Sequence, residues 1–561
     1  MGDGGPRVAI LPGDLAEQET VTYPLSALPG LISLMMGLLV LWGCDAGFTG
    51  EPLPNQPPET YLSVRDSSLV DNLSDEQRLV STVYVSWTGD DPDGYVAAYE
   101  LRYYDAGEGP AGIDWRRTSR NDTLVVLPIP PGNATANVVF EVRAIDNEGL
   151  VDPTPARTVF PIRNSPPKIR LVSFELPPDT TFPIFSFSWQ AEDPDGTVNL
   201  ARIEVSFNDS TQFVALPSDV DFVTFVANFD RDDPAQRETT ARVYTGRAFR
   251  STTIEVPGLR LDADNTFYVR SVDQADMSSA LARHTWFVKK PRSRVLLVND
   301  YRKATGSVVM AYHRAILRDF LPPDMPIDEW DISRPYVTGS AGNTPRSDAL
   351  PPVPEPTLRR MLALWDYIYW VSTATVNSVV GNNLPYAAAV MDLFFEQGGR
   401  ILVHSPITQP RDPEANLGNP AILMLPLSDL LVLPDTVRRL ELASGAAITP
   451  VNAPPGVVET LPPLQSNRFF INELPYFAQG ATIIPLYEAD YRYLSRSGRR
   501  GSWPYPRTVA SISADARVAL FGLPLVNELT GEPELVGADG DPDAGRRAVM
   551  ILLRSLGFPE R

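Results

Sequence analysis

The sequence predicts a multidomain chain: two all-β sandwiches in tandem, followed by a doubly wound α/β domain. Three observations carry this. A set of landmarks occurs twice in the same order, which marks two copies of one module. Within each copy apolar and polar residues alternate with period two, the pattern of half-buried antiparallel strands. From Arg294 onward the pattern changes to short continuous apolar runs separated by helical stretches, the mark of strands buried on both faces.

The chain opens with an expected leader, residues 1–44. Leu25 to Gly43 carries no charge, and the stretch ends LLVLWGC at Cys44, the only cysteine among 561 residues. Leu41, Trp42, Gly43 and Cys44 resemble the bacterial lipobox. The resemblance implies cleavage after Gly43 and a diacylglycerol chain on the Cys44 sulfur. An uncharged run of about 19 residues is also long enough to cross a bilayer as an uncleaved anchor. Both readings place the rest of the chain outside the cytoplasm and tether it to a membrane. Residues 45–58, rich in Gly, Pro and Asn, read as a flexible tether.

Asn55-Gln56-Pro57-Pro58 recurs as Asn164-Ser165-Pro166-Pro167. Trp87 before Asp91-Pro92-Asp93-Gly94 recurs as Trp189 before Asp193-Pro194-Asp195-Gly196, and Val142 to Asp146 recurs as Val269 to Asp273. The modules are expected at 59–163 and 164–291, with extra length in the second near Ser206 to Arg247. Val83, Val85 and Trp87 point one way while Tyr84 and Ser86 point the other. These residues, with Tyr99 to Tyr103 and Phe140 to Asp146, resemble the fibronectin type III sandwich. The resemblance implies a core tryptophan and a role as spacer or binding module.

Residues 292–561 are expected to form the α/β domain. Its apolar runs are Arg294 to Asp300, Tyr367 to Ser372, Arg400 to Ser405 and Arg517 to Gly522. Helical stripes are expected over Val308 to Phe320, Ala387 to Phe395 and Ala544 to Leu556, and Gly398-Gly399 reads as a helix stop. Strand–helix alternation of this kind implies a doubly wound, flavodoxin-like sheet. The proline-rich stretch from Pro406 to Gly480 reads as an elaboration over the strand ends. The segments VLLVND, YIYWVS, FFEQGGRILVHS and VALFGLPL resemble the class I glutamine amidotransferase-like superfamily, including its trehalose-utilisation-like branch. That family uses a cysteine nucleophile. No cysteine follows Cys44, so glutamine hydrolysis by that route is excluded.

Composition narrows the remaining classes. Against 69 acidic residues stand 48 basic ones, a net charge of −21, which argues against nucleic acid as a partner. The lack of further thiols excludes disulfides, zinc–thiolate sites and cysteine catalysis in the folded part, and three histidines are too few for a histidine-based metal centre. No cofactor is expected. Ligands of doubly wound sheets gather at the carboxyl ends of the strands, here Asn299, Asp300, Tyr301, Ser372, His404 and Ser405. His404 and Ser405 are neighbours on one strand and point to opposite faces, so they do not pair as base and nucleophile. His404 reads either as a strand-end side chain satisfied by backbone or, with Asp300, as a polar contact in a ligand pocket. Asp91, Asp93, Asp193 and Asp195 read as β-turn residues, with calcium ligation as the alternative. Trp503 and Tyr505 lie in a Gly/Arg/Pro-rich loop as candidates for stacking on carbohydrate, whereas Trp370 reads as core.

The resulting expectation is a membrane-tethered extracytoplasmic lipoprotein of the cell envelope with a binding or assembly role and no catalysis. An envelope protein or a glycan is its expected partner. The alternatives are an envelope hydrolase acting on glycan or peptide through the C-terminal domain, and a purely structural envelope component.

Overall fold

The computed structural model describes residues 54–64, 79–130, 133–333, 336–337, 346–373, 382–406, 418–468, 470–471, 474–478, 480–505 and 507–561. Cys44, the expected leader and most of the tether lie outside the described residues. Strands far outweigh helices, and among the described residues no helix is long and apolar enough to cross a membrane.

The first module is a two-sheet β-sandwich. Strands Glu59–Val64, Thr82–Asp90 and Asp122–Val126 form one sheet. Arg116–Thr118, Val96–Asp105, Thr135–Asp146 and Ala156–Arg163 form the other, with the short Leu79–Val80 at its edge. The alternation read from sequence sets the burial: Val83, Val85 and Trp87 are buried while Tyr84 is exposed. Trp87 packs against Tyr99 and Phe140 at ring separations of 6.1 and 6.2 Å.

The second module repeats this plan around Phe185, Phe187, Trp189, Phe267 and Trp286. Its extra length overlaps the end of the expected stretch and runs past it. Val214–Pro217 and Phe222–Ala227 stand where Arg116–Thr118 and Asp122–Val126 stand in the first copy. The insertion is the hairpin Glu238–Thr245 and Arg250–Arg260, which widens that sheet to five strands.

The duplicated landmarks converge on one feature. In the first module Asn55 Nδ2 donates to Asp146 Oδ2 at 2.6 Å, and the Gln56 backbone N–H donates to Asp93 Oδ2 at 3.0 Å. In the second, Asn164 Nδ2 donates to Asp273 Oδ2 and the Ser165 N–H to Asp195 Oδ2, each at 2.5 Å. Each entering linker is thus fastened to the end of its own sandwich. Ser81 of the first module also donates to Asp195 Oδ1 of the second, so the two modules meet at the same aspartate.

In the C-terminal domain, β1 (Val295–Asp300), β2 (Asp328–Asp331), β3 (Tyr367–Ser372), β4 (Arg400–His404) and β9 (Val518–Phe521) pair in parallel in the order β2-β1-β3-β4-β9. Four of these are the apolar runs read from sequence. The pleat sends Val295 and Leu297 toward α1 (Gly306–Phe320) and α6 (Ala544–Ser555). It sends Leu296, Val298, Trp370 and Val403 toward the short helices α2 (Arg359–Leu362), α3 (Leu384–Ala388), α4 (Asp392–Glu396) and α5 (Pro420–Met424). Burial on both faces is what makes these runs continuously apolar.

The expectation of a doubly wound, flavodoxin-like sheet does not describe the whole sheet. The sheet runs on past β9 through antiparallel β8 (Thr508–Ser513), β7 (Ile483–Ala489), β5 (Ala447–Pro450), β6 (Leu464–Ser466) and β10 (Leu535–Gly537), ten strands in all. Two of these strands, β5 and β6, come from the stretch read as a cover. The helix expected over Ala387 to Phe395 is split into α3 and α4. The stop after it is steric: Gly398 has φ +85°, and a Cβ on Gly399 would fall 2.5 Å from the Phe394 ring.

The second module and the C-terminal domain share an apolar contact. Phe182 sits edge-on to Trp365 at 4.6 Å and to Trp330 at 5.9 Å. The inserted hairpin adds a brace, with the Arg360 guanidinium 3.4 Å over the Phe249 ring.

The linker clamp yields a stability prediction. Asp273 is fully buried, and its Oδ1 also accepts the Ala275 and Met277 N–H groups at 2.9 and 2.8 Å. Asp273→Ala leaves these donors without a partner and is expected to cost about 3 kcal/mol. Urea unfolding followed by tryptophan fluorescence checks it; an unchanged midpoint contradicts the clamp.

Candidate functional site

The carboxyl ends of the parallel strands open on a cavity of roughly 110 Å³. Of the six strand-end residues expected there, Tyr301, Ser372 and His404 line it. Four charged residues that sequence reading missed complete the polar wall: Lys303 after β1, Arg468 after β6, and Glu528 and Glu534 between β9 and β10. They come from loops with no shared motif or spacing, and only the fold brings them together.

Asn299, Asp300 and Ser405 do not join the pocket. Asn299 faces the junction with the second module, in a cavity shared with Phe182, Arg314 and Trp330. Asp300 lies on the sheet face opposite His404, because the pleat groups it with Leu296 and Val298 rather than with Leu297. There it accepts hydrogen bonds from the Asn383 N–H at 2.7 Å, Asn383 Nδ2 at 2.8 Å and Trp370 Nε1 at 3.2 Å. Arg302 Nε stands 3.6 Å from its Oδ1 and Arg302 donates to Asn383 Oδ1 at 2.6 Å. Asp300 thus fastens the start of α3 beneath the strand ends. Ser405 is fully buried, and its hydroxyl is directed at the carbonyls of Thr373 and Pro406 at 3.1 and 3.3 Å.

His404 is 4% exposed and makes no hydrogen bond to backbone, which overturns the expectation of a backbone-satisfied strand end; its Nδ1 is buried without a partner. Its ring lies 4.5 Å from that of His313, whose Nδ1 meets the Tyr369 hydroxyl at 2.5 Å and whose Nε2 is also unpartnered. Burial lowers the His404 pKa to about 3, so the imidazole is neutral. Burial, then the neighbouring His404, holds His313 well below the ordinary histidine range.

The charged wall is arranged in pairs. Lys303 Nζ lies 3.2 Å from Glu528 Oε2, which also accepts from the Tyr301 hydroxyl at 2.5 Å. Burial raises the Glu528 pKa, but the Tyr301 hydrogen bond and Lys303 outweigh it and the net shift is downward. Arg468 stands 3.1 Å from Glu534 Oε1, an oxygen that is buried and accepts no hydrogen bond. Burial drives the Glu534 pKa upward against the pull of Arg468.

The other candidates fall outside this site. Trp503 is only 4% exposed, packed among Tyr476, Tyr493 and Tyr505, so it cannot be a stacking platform; Tyr505 beside it is 53% exposed. Asp93, Asp193 and Asp195 are engaged in the turns and linker clamps. Asp91 lies against Gly94, where a Cβ would fall 2.7 Å from its Oδ2, with Asp93 of the same turn as its neighbour. Among the described residues no group of three or more His, Cys, Asp and Glu side chains is placed to hold a metal ion.

The Asp300 network predicts a pH effect. Burial pushes its carboxyl up to about 7, against Arg302 and the Asn383 and Trp370 hydrogen bonds. Below about pH 4 the group is protonated folded or unfolded. Between there and about 7 only the unfolded chain ionises, so the contribution of Asp300 to stability is present at low pH and is lost as pH rises through this window. Unfolding midpoints measured from pH 4 to 8 are expected to show this component in the wild type and not in Asp300→Ala.

No protein-family model matches the sequence, and no curated protein matches it. Among solved structures, the chain is similar to the fibronectin(III)-like modules of Clostridium thermocellum CbhA, at 14% identity and a TM-score of 0.16, over 41% of this chain and 96% of that one. It is also similar to the chicken interferon gamma receptor alpha chain, at 9% identity and a TM-score of 0.18, over 37% of this chain and 92% of that one.

Proposed function

We propose that this protein is a membrane-tethered lipoprotein of the cell envelope that binds a ligand outside the cytoplasm without transforming it. Cys44 holds it to the membrane, the two sandwiches act as a spacer, and the strand-end pocket of the C-terminal domain is the binding site. The observation that carries the reading is the pocket itself: it is polar, it sits at the carboxyl ends of parallel strands, and no nucleophile–base pair lines it among the described residues. Ser405 is turned away into backbone carbonyls and His404 has no acidic partner. The C-terminal domain is further inferred to be a degenerate relative of the amidotransferase-like fold. Its parallel strands and the Gly398-Gly399 turn ahead of His404 support this kinship.

Metabolic labelling with a palmitate analogue tests the anchor. The wild type is expected to carry label and partition into membranes; Cys44→Ala is expected to lose both. Unlabelled wild type contradicts the anchor.

One observation favours a second reading, the envelope hydrolase. Glu528 and Glu534 share one pocket, and their environments shift them in opposite directions, as an acid and a base require. This reading predicts turnover of a glycan substrate that falls about 100-fold or more in Glu534→Gln. The binding reading predicts no turnover in either chain. Product release from an envelope glycan preparation decides between them.

A further inference from the structure

The strand-end pocket identifies its ligand by what its wall leaves unused. Its charged groups cancel in two ion pairs, Lys303 with Glu528 at 3.2 Å and Arg468 with Glu534 at 3.1 Å. A charged ligand would have to break a pair or enter a confined space without a counter-charge, and either is costly. The polar group on this wall with neither a charge nor a partner is the imidazole of His404, whose Nδ1 makes no hydrogen bond; Glu534 Oε1 accepts no hydrogen bond either but stands 3.1 Å from Arg468. Leaving buried polar atoms unmatched costs free energy, so their persistence at a cavity wall points to an external partner.

That partner has to pair with a neutral imidazole nitrogen, which either donates or accepts, and it has to carry no net charge. A hydroxyl group does both. The ion pairs add further donors and acceptors on the same wall, so a ligand with several hydroxyls matches more of it than a simple alcohol does. Val309, Ile471, Pro524 and Leu525 supply an apolar side, which suits the C–H face of a sugar ring.

We propose that the strand-end pocket binds a neutral polyhydroxylated group, a sugar unit of a glycan, with His404 as its principal polar contact. The proposal rests on the binding reading above and names the ligand class for that site.

The test uses the full chain in detergent micelles and saturation-transfer NMR. The probes are neutral hexoses and N-acetylhexosamines, the matching uronic acids and amino sugars, and free amino acids. Transfer is expected from a neutral sugar and not from its charged analogues. His404→Leu is expected to weaken that binding about tenfold or more. Its melting temperature is expected to be unchanged or raised, because the substitution removes unmatched buried nitrogens. His404→Gln keeps a donor and an acceptor and is expected to retain part of the affinity. Binding undiminished in both variants overturns the proposal, as does loss of folding in both. Transfer from amino acids or charged sugars alone overturns the ligand class and leaves the binding reading standing. Transfer from no probe overturns both.

Discussion

The architecture hangs on a hydrogen bond made twice, from an asparagine in a linker to an aspartate in the last turn of the sandwich that follows. Asn55 reaches Asp146 at 2.6 Å, and Asn164 reaches Asp273 at 2.5 Å. Each aspartate also accepts several backbone N–H groups of its own turn. The turn is therefore ordered by the same carboxylate that holds the incoming chain. A second aspartate in each Asp-Pro-Asp-Gly turn takes the next backbone N–H of the linker. With Ser81 bonded to Asp195 as well, the joint between modules is a built contact.

These motifs were legible in the sequence as a repeat, but their purpose was not. Asp93 and Asp195 looked like turn residues or cation ligands because both uses favour the same local pattern. The partner that decides between them lies far away, 37 residues from Asp93 and 30 from Asp195. The parallel strands were legible because burial on both faces makes a run such as Tyr367 to Ser372 apolar throughout. The antiparallel half was not: Ile483–Ala489 and Thr508–Ser513 carry a proline, serines and bulged pairings that break any period.

The site was legible by half. The rule that ligands gather at strand ends reached Tyr301, Ser372 and His404. Strand alternation, applied to His404 and Ser405, applies equally to Asp300, whose side chain emerges on the other face and builds structure. Lys303, Arg468, Glu528 and Glu534 are separated by up to 231 positions in the chain and meet only because β6, β9 and β10 belong to one sheet. The pocket that results combines spent charges with unspent neutral groups. Such a wall favours discrimination by shape and hydroxyl pattern over long-range electrostatic capture, in spite of the strongly acidic chain around it.

The hairpin inserted in the second sandwich sets a limit on how this chain could be rearranged. Phe249 at its tip lies under Arg360, and Arg231 at its base bonds the Leu364 carbonyl. The first sandwich has no such hairpin. The two copies are therefore not interchangeable: recombination that exchanged them would leave the last domain without its seat.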